Sequence, residues 1–212
     1  MRGFLHRPAQ PTGDGLVLTH GAGANSKSAL LVAVAEAFAD VGFTVLRCDL
    51  RFRQDRPFGP PRPGDAERDR KGLEDAVAAL RERAPGRLFL GGSSYGGRQS
   101  SMLVAEKPGQ ADGLLLLSYP LHPPRKPEQP RIQHLQKLET GALFVHGTRD
   151  PFGSLEEMAQ ALRLIPGKTR LLPVENAGHD LGFKGKSRRD DLPSAVLRAF
   201  RELFDGSMPA GL

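Results

Sequence analysis

The sequence predicts an α/β fold: a doubly wound, mostly parallel sheet of about six strands flanked by helices. Three observations predict it. Short apolar runs alternate with longer amphipathic stretches along nearly all of the 212 residues, the pattern of strands returning through helices. Residues 113–117 read Gly-Leu-Leu-Leu-Leu, the unbroken apolar run of a strand covered on both faces. Apolar runs also end in glycine-bearing turns, His20-Gly21 after 16–19 and Gly91-Gly92 after 87–90.

Taken in order, residues 16–19 form the first buried strand. Residues 28–39 carry apolar side chains on nearly every face and stop before Gly42, which predicts a mostly buried helix. Strand 43–48 follows, then a Pro- and Arg-rich loop over 49–64. Leu73, Ala76, Val77 and Leu80 at helical spacing predict an amphipathic helix over 66–83. Strand 87–90 leads through glycines to helix 98–106, which ends before Pro108. After strand 113–117, five prolines within 119–130 exclude regular structure. Strand 142–146, helix 155–164, strand 169–174 and an amphipathic helix over 192–204 complete the chain. The first residues read as a frayed terminus. With no repeat or linker, residues 1–212 are expected to form a single domain.

Composition narrows the function classes. Hydrophobic residues make up 39% and charged residues 25%, ordinary for a globular protein. No stretch approaches the roughly 20 apolar residues of a membrane span, and no signal peptide is recognisable, so the chain is expected to be cytoplasmic with no membrane partner. Cys48 is the only cysteine, so no internal disulfide can form. The net charge of +6 is spread along the chain, densest at Arg47, Arg51, Arg53 and Arg56 and at Lys184, Lys186, Arg188 and Arg189. Tryptophan is absent and only two tyrosines are present, so base-stacking platforms are lacking and no nucleic-acid partner is expected; these clusters read as solvated surface.

The informative segment is Gly92-Ser93-Ser94-Tyr95-Gly96, a G-x-S-x-G pattern between a predicted strand and a predicted helix. A chain that reverses from strand to helix around one residue strains that residue and leaves no room for side chains two positions away. Such a turn presents the Ser94 hydroxyl above the sheet edge and the Tyr95 N–H at a helix start, where it can face a developing oxyanion. A Gly/Ser turn that merely packs tightly or binds phosphate is the alternative. Ser93 lacks a glycine two residues on and is no second candidate.

Three further pieces appear in the order such a site requires. His20-Gly21-Ala22-Gly23 ends the first strand in small residues, with the Ala22 N–H as a second oxyanion donor and His20 shaping the loop. Asp150 lies just beyond strand 142–146, where a carboxylate can accept from a histidine Nδ1–H; Glu175 is its rival. His179 occupies the loop after the last strand and, of six histidines, alone combines that setting with that order. Ser94, Asp150 and His179 are thus the candidate nucleophile, acid and base, each at the carboxyl end of a strand.

These residues carry a resemblance. The motifs His20-Gly21-Ala22-Gly23-Ala24, Gly92 to Gly97, Tyr119-Pro120-Leu121-His122-Pro123-Pro124, His146 to Gly153 and Gly178-His179 resemble the α/β-hydrolase superfamily, and within it the small, lidless, dienelactone-hydrolase-like branch. Testis-expressed and NSL-complex-subunit homologues in animals are similar. The resemblance implies a Ser-His-Asp hydrolase of the carboxylic-ester class. Dienelactone hydrolases proper use a cysteine nucleophile, whereas position 94 is serine and Cys48 lies elsewhere.

The expected reaction is hydrolysis of small carboxylic esters or thioesters through an acyl-enzyme on Ser94. His20, Gly21, Tyr119 and Leu121 are the expected substrate contacts, and Arg51 and Arg125 offer charge for an acidic substrate. No metal-ligand spacing or dinucleotide fingerprint occurs, so no metal and no cofactor is expected. A catalytically silent interaction protein on the same fold, or a peptidase or acyltransferase using the same triad, stays open, as does the oligomeric state.

Overall fold

Strands whose residues are apolar on both sides need cover on both faces, and the fold supplies it. The structure, a computed structural model, describes residues 1–183 and 189–206. In chain order the elements are β1 (Gly3–His6), β2 (Gly15–Thr19), α1 (Ala29–Asp40), β3 (Thr44–Cys48), α2 (Arg51–Asp55), α3 (Asp65–Arg81), β4 (Leu88–Ser93), α4 (Tyr95–Glu106), β5 (Gly113–Leu117), a 3-10 turn (Leu135–Lys137), β6 (Ala142–Gly147), α5 (Leu155–Leu162), β7 (Thr169–Val174) and α6 (Leu192–Phe204).

The strands pair in the order β1-β3-β2-β4-β5-β6-β7, parallel throughout except for β1 against β3. Every residue of β2, β3, β5 and β6 is buried. One face packs on α1 and α6 through Leu31, Val34, Phe38, Val196 and Phe200. The other packs on α3, α4 and α5 through Leu73, Leu80, Leu103 and Met158. Phe38, Phe43, Phe89 and Phe200 meet edge-on on the first face, with centroids 4.7–5.9 Å apart for the T-shaped pairs. Each such ring contributes roughly 1.5–3 kcal/mol by burial. The chain order reverses between β2 and β4, the switch point where open α/β sheets place their sites.

Two elements go beyond the sequence expectation. The sheet has a seventh strand, because β1 does not fray: it pairs in register with β3 from Gly3 opposite Cys48 to His6 opposite Val45. At four residues it is too short to show a period. Within the predicted loop 49–64, residues 51–55 form helix α2. One turn has no readable periodicity; α2 exists because the buried Phe52 packs into the core and its N–H donates to Asp69 Oδ1 at 3.0 Å.

The first arginine cluster is not solvated surface either. Arg47 and Arg53 are buried: Arg47 donates to His6 Nε2 at 2.8 Å and to the Ser26 carbonyl. Arg51 pairs with Asp75 at 2.8 Å, which removes it as a free charge for substrate. Of the second cluster, Lys184, Lys186 and Arg188 lie outside the described residues. Among the described residues no helix is long and apolar enough to cross a membrane.

Candidate active site

The turn from β4 to α4 is as sharp as the G-x-S-x-G spacing requires. Ser94 sits at φ 50°, ψ −117°, a backbone conformation that disfavours any side chain. Its N–H donates to the Leu117 carbonyl at 2.8 Å, and its carbonyl accepts from the Arg98 N–H at 2.9 Å, so sheet and helix both hold the turn. The flanking glycines are needed because β2 passes so close. A Cβ at position 92 would lie 2.5 Å from the Thr19 oxygen, and one at position 96 would lie 2.5 Å from the His20 oxygen.

Above this turn the three separated side chains meet. Ser94 Oγ lies 2.8 Å from His179 Nε2, and His179 Nδ1 lies 2.7 Å from Asp150 Oδ2. A carboxylate can only accept, so Nδ1 carries the proton and Nε2 presents a lone pair to the serine hydroxyl. That is the tautomer proton abstraction from Ser94 requires. Asp150 is itself held, with Oδ1 accepting from the Phe152 N–H at 2.9 Å.

Two neighbours of this relay belong to the 146–153 motif, but sequence reasoning assigned neither a role. The Phe152 ring stacks on the His179 imidazole at 4.1 Å between centroids and 28° between planes. Buried His146 donates from Nε2 to the Gly153 carbonyl at 2.8 Å, tightening the loop that carries Asp150. Glu175, the rival acid, lies in the turn after β7, and its carbonyl accepts from Arg189.

The loop after β2 lies beside the serine: a Cβ on Gly21 would be 3.3 Å from Ser94 Cβ. Neither the Ala22 nor the Tyr95 N–H donates to another group among the described residues, so both are free to serve an incoming oxygen. The Tyr95 hydroxyl donates to Asp69 Oδ2 at 2.9 Å.

His20 and Tyr119 are buried, with their polar atoms bound to main-chain groups. His20 is fully buried, donating from Nδ1 to the Gly21 carbonyl at 2.8 Å and accepting at Nε2 from the Leu50 N–H at 3.1 Å. Both ring nitrogens are thereby committed to the neutral form, and burial lowers its pKa. Tyr119 is 1% exposed and donates to the Arg131 carbonyl at 2.8 Å. Leu121 is also buried and would meet a Cβ on Gly153 at 3.1 Å. Of the four expected substrate contacts, Gly21 borders the serine, and His20, Tyr119 and Leu121 are buried.

An open groove of about 440 Å³ runs beside the loop, lined by Ala22, Gly23, Asn25, Pro57, Phe58 and Pro60. It touches the site through Ala22 without including Ser94, His179 or Asp150. Phe58 stands 85% exposed at its rim. Residues 118–134, between β5 and the 3-10 turn, form no helix or strand that could cap the site.

A second serine–histidine pair lies one face away: Ser101 Oγ is 2.8 Å from His134 Nε2. The Ser101 hydroxyl donates to the Arg98 carbonyl at 2.9 Å, so its oxygen is left to accept from His134. Burial, then the charges of Arg98 and Arg70, hold the His134 pKa down at about 4. Cys48 is equally unsuited to chemistry, because burial pushes its thiol up to about 12.

A parallel sheet with a strained serine turn at its switch point, hydrogen-bonded through a histidine to an aspartate, defines the class of α/β serine-hydrolase-like folds. The chain belongs to the α/β-hydrolase family, whose alpha/beta hydrolase domain matches residues 13–202. Among solved structures it is similar to an alpha-beta serine hydrolase homologue from Coxiella burnetii, with 15% identity over 93% of this chain and 90% of that one and a TM-score of 0.74. It is also similar to XC6422 from Xanthomonas campestris, described as an a/b serine hydrolase without lid, with 18% identity, 98% and 89% coverage and a TM-score of 0.71. A dienelactone hydrolase from Anabaena variabilis matches at 21% identity, 97% and 91% coverage and a TM-score of 0.72. At these identities the likeness is one of fold, and it agrees with the small lidless architecture expected from the motifs.

Proposed function

We propose that the protein is a serine hydrolase that cleaves small carboxylic esters or thioesters through an acyl-enzyme on Ser94. The observation that carries this reading is the continuous relay from Ser94 Oγ through His179 to Asp150, at 2.8 and 2.7 Å, on a serine held at positive φ. His179 Nε2 takes the hydroxyl proton as Oγ attacks the carbonyl carbon. Asp150 stabilises the imidazolium that forms, and the Ala22 and Tyr95 amides receive the oxyanion. Collapse of the tetrahedral intermediate expels the alcohol or thiol, which takes the proton from His179. Water then enters, gives its proton to Nε2 and releases the acid in a second attack.

Substrate size follows from the surroundings. With no helix or strand of the described residues folded over the site, water can reach it, and the groove beside Ala22 accommodates a short acyl or aryl group better than a long chain. The test is labelling with a fluorophosphonate beside a p-nitrophenyl ester series of graded acyl length. Wild type labels at Ser94 and turns over acetate and butyrate esters, and Ser94→Ala does neither. Labelling at another serine, or equal labelling of both proteins, rules the proposal out.

A further inference from the structure

An oxyanion site works only if its donors are held where the charge will develop, before it develops. The two candidate donors here come from chain segments more than seventy residues apart, so something must fix their separation. The Ala22 N–H shares a rigid peptide plane with the Gly21 carbonyl. That carbonyl accepts from His20 Nδ1 at 2.8 Å and from the Ala24 N–H at 3.1 Å. On the other side of the Ala22 Cα, the Ala22 carbonyl accepts from Arg53 at 2.8 Å. Both peptide planes that meet at Ala22 are therefore pinned.

Arg53 does more than hold one carbonyl. It is 4% exposed, yet among the described residues its four side-chain hydrogen bonds all end on main-chain oxygens and none on a carboxylate. Besides Ala22 these are Ala24 at 2.9 Å, Arg56 at 3.2 Å and Gly59 at 3.0 Å. A buried guanidinium spread over four carbonyls ties the loop after β2 to the wall of the groove beside it, and only the planar fork of arginine can reach such a set. The preceding residue makes the second connection. The Phe52 N–H donates to Asp69 Oδ1 at 3.0 Å, and Asp69 Oδ2 accepts from the Tyr95 hydroxyl at 2.9 Å. The Phe52 and Tyr95 rings also meet edge-on at 5.9 Å. Two consecutive residues of α2 thus reach both donor segments.

We infer that helix α2 is the brace that sets the distance between the Ala22 and Tyr95 amides, with Arg53 as the positioning residue on one side and Asp69, through the Tyr95 hydroxyl, on the other. The inference rests on the reading of Ser94 as nucleophile. Its signature is a loss in kcat with little change in KM, because a misplaced donor weakens the transition state and not substrate capture.

The experiment compares wild type, Arg53→Met, Arg53→Lys and Tyr95→Phe on p-nitrophenyl acetate, with hydrogen exchange followed by mass spectrometry on the same full-length proteins. Removing an oxyanion donor outright costs about 100-fold or more, so Arg53→Met is expected to lower kcat about 30-fold with KM within about threefold. Arg53→Lys, which keeps the charge but not the fork, should fall between it and wild type. Tyr95→Phe deletes one hydroxyl and should lose about fivefold. Exchange across 22–26, where the Ala24 and Ser26 amides are bonded, should speed up in Arg53→Met while 113–117 stays protected. If Arg53→Met does not fold, Arg53→Lys and Tyr95→Phe decide alone. Variants with wild-type kcat, a loss confined to KM, or unchanged exchange across 22–26 overturn the inference. A wild type that neither labels nor hydrolyses refutes the catalytic reading instead, so the two failures are told apart.

Discussion

Two serine–histidine pairs in this molecule have the same 2.8 Å separation and opposite chemical prospects. Ser94 gives its only hydroxyl proton to His179, which has a carboxylate behind it to stabilise the charged ring. Ser101 gives its proton to the Arg98 carbonyl, and His134 has two arginine charges nearby and, among the described residues, no carboxylate in its hydrogen bonds. The backbone differs as well: Ser94 occupies a strained turn at the sheet edge, whereas Ser101 lies inside a regular helix. A serine beside a histidine is therefore not a catalytic signature. The direction of the proton and the charge behind the ring decide.

The comparison can be broken most directly by deleting each hydroxyl. Ser94→Ala is expected to lower kcat for p-nitrophenyl acetate by about 10,000-fold or more, while Ser101→Ala stays within about threefold. A large loss in Ser101→Ala with an intact thermal melt would falsify the contrast between the two pairs. The charge behind the ring comes next. Asp150→Asn should lose about 10,000-fold, because an amide can present its N–H to Nδ1 and stabilise the wrong tautomer.

His134 offers a test in stability. Its folded pKa of about 4 lies below the ordinary histidine value of 6.5. Below pH 6.5 the unfolded chain takes up a proton that the folded ring refuses, so the stabilisation is complete above that pH and falls away as pH drops toward about 4. The expected loss is up to about 3 kcal/mol, read from urea midpoints at the two ends of the window. His134→Gln should flatten that limb; an unchanged slope would show that the ring already titrates normally when folded. The smallest effect is expected at Phe152→Ala, where losing the ring stacked on His179 should cost about 1 kcal/mol, a few-fold in kcat.

Much of this was legible in the sequence, and the reasons are specific. Strands β5 and β7 and helix α6 occupy the predicted residues, since their patterns are long or pure enough to stand alone. The residues of the relay were legible because a glycine-flanked serine and the strand order constrain one another, and the structure brings those three side chains together. Helix α4 begins at Tyr95, where the serine turn was expected to open a helix, and runs to Glu106. Arg53 was unreadable as a buried group: a run of arginines looks solvated until four carbonyls are folded around one of them. The Phe152–His179 stack and the Ser101–His134 pair were hidden for the same reason, as the partners lie dozens of residues apart.

The positive φ of Ser94 sets function against endurance. A glycine there would relax a conformation that costs an ordinary residue on the order of 1–3 kcal/mol. Selection for thermal robustness alone would therefore drift toward replacing this residue, and a library screened only for heat resistance should enrich the one substitution that empties the centre of its hydroxyl.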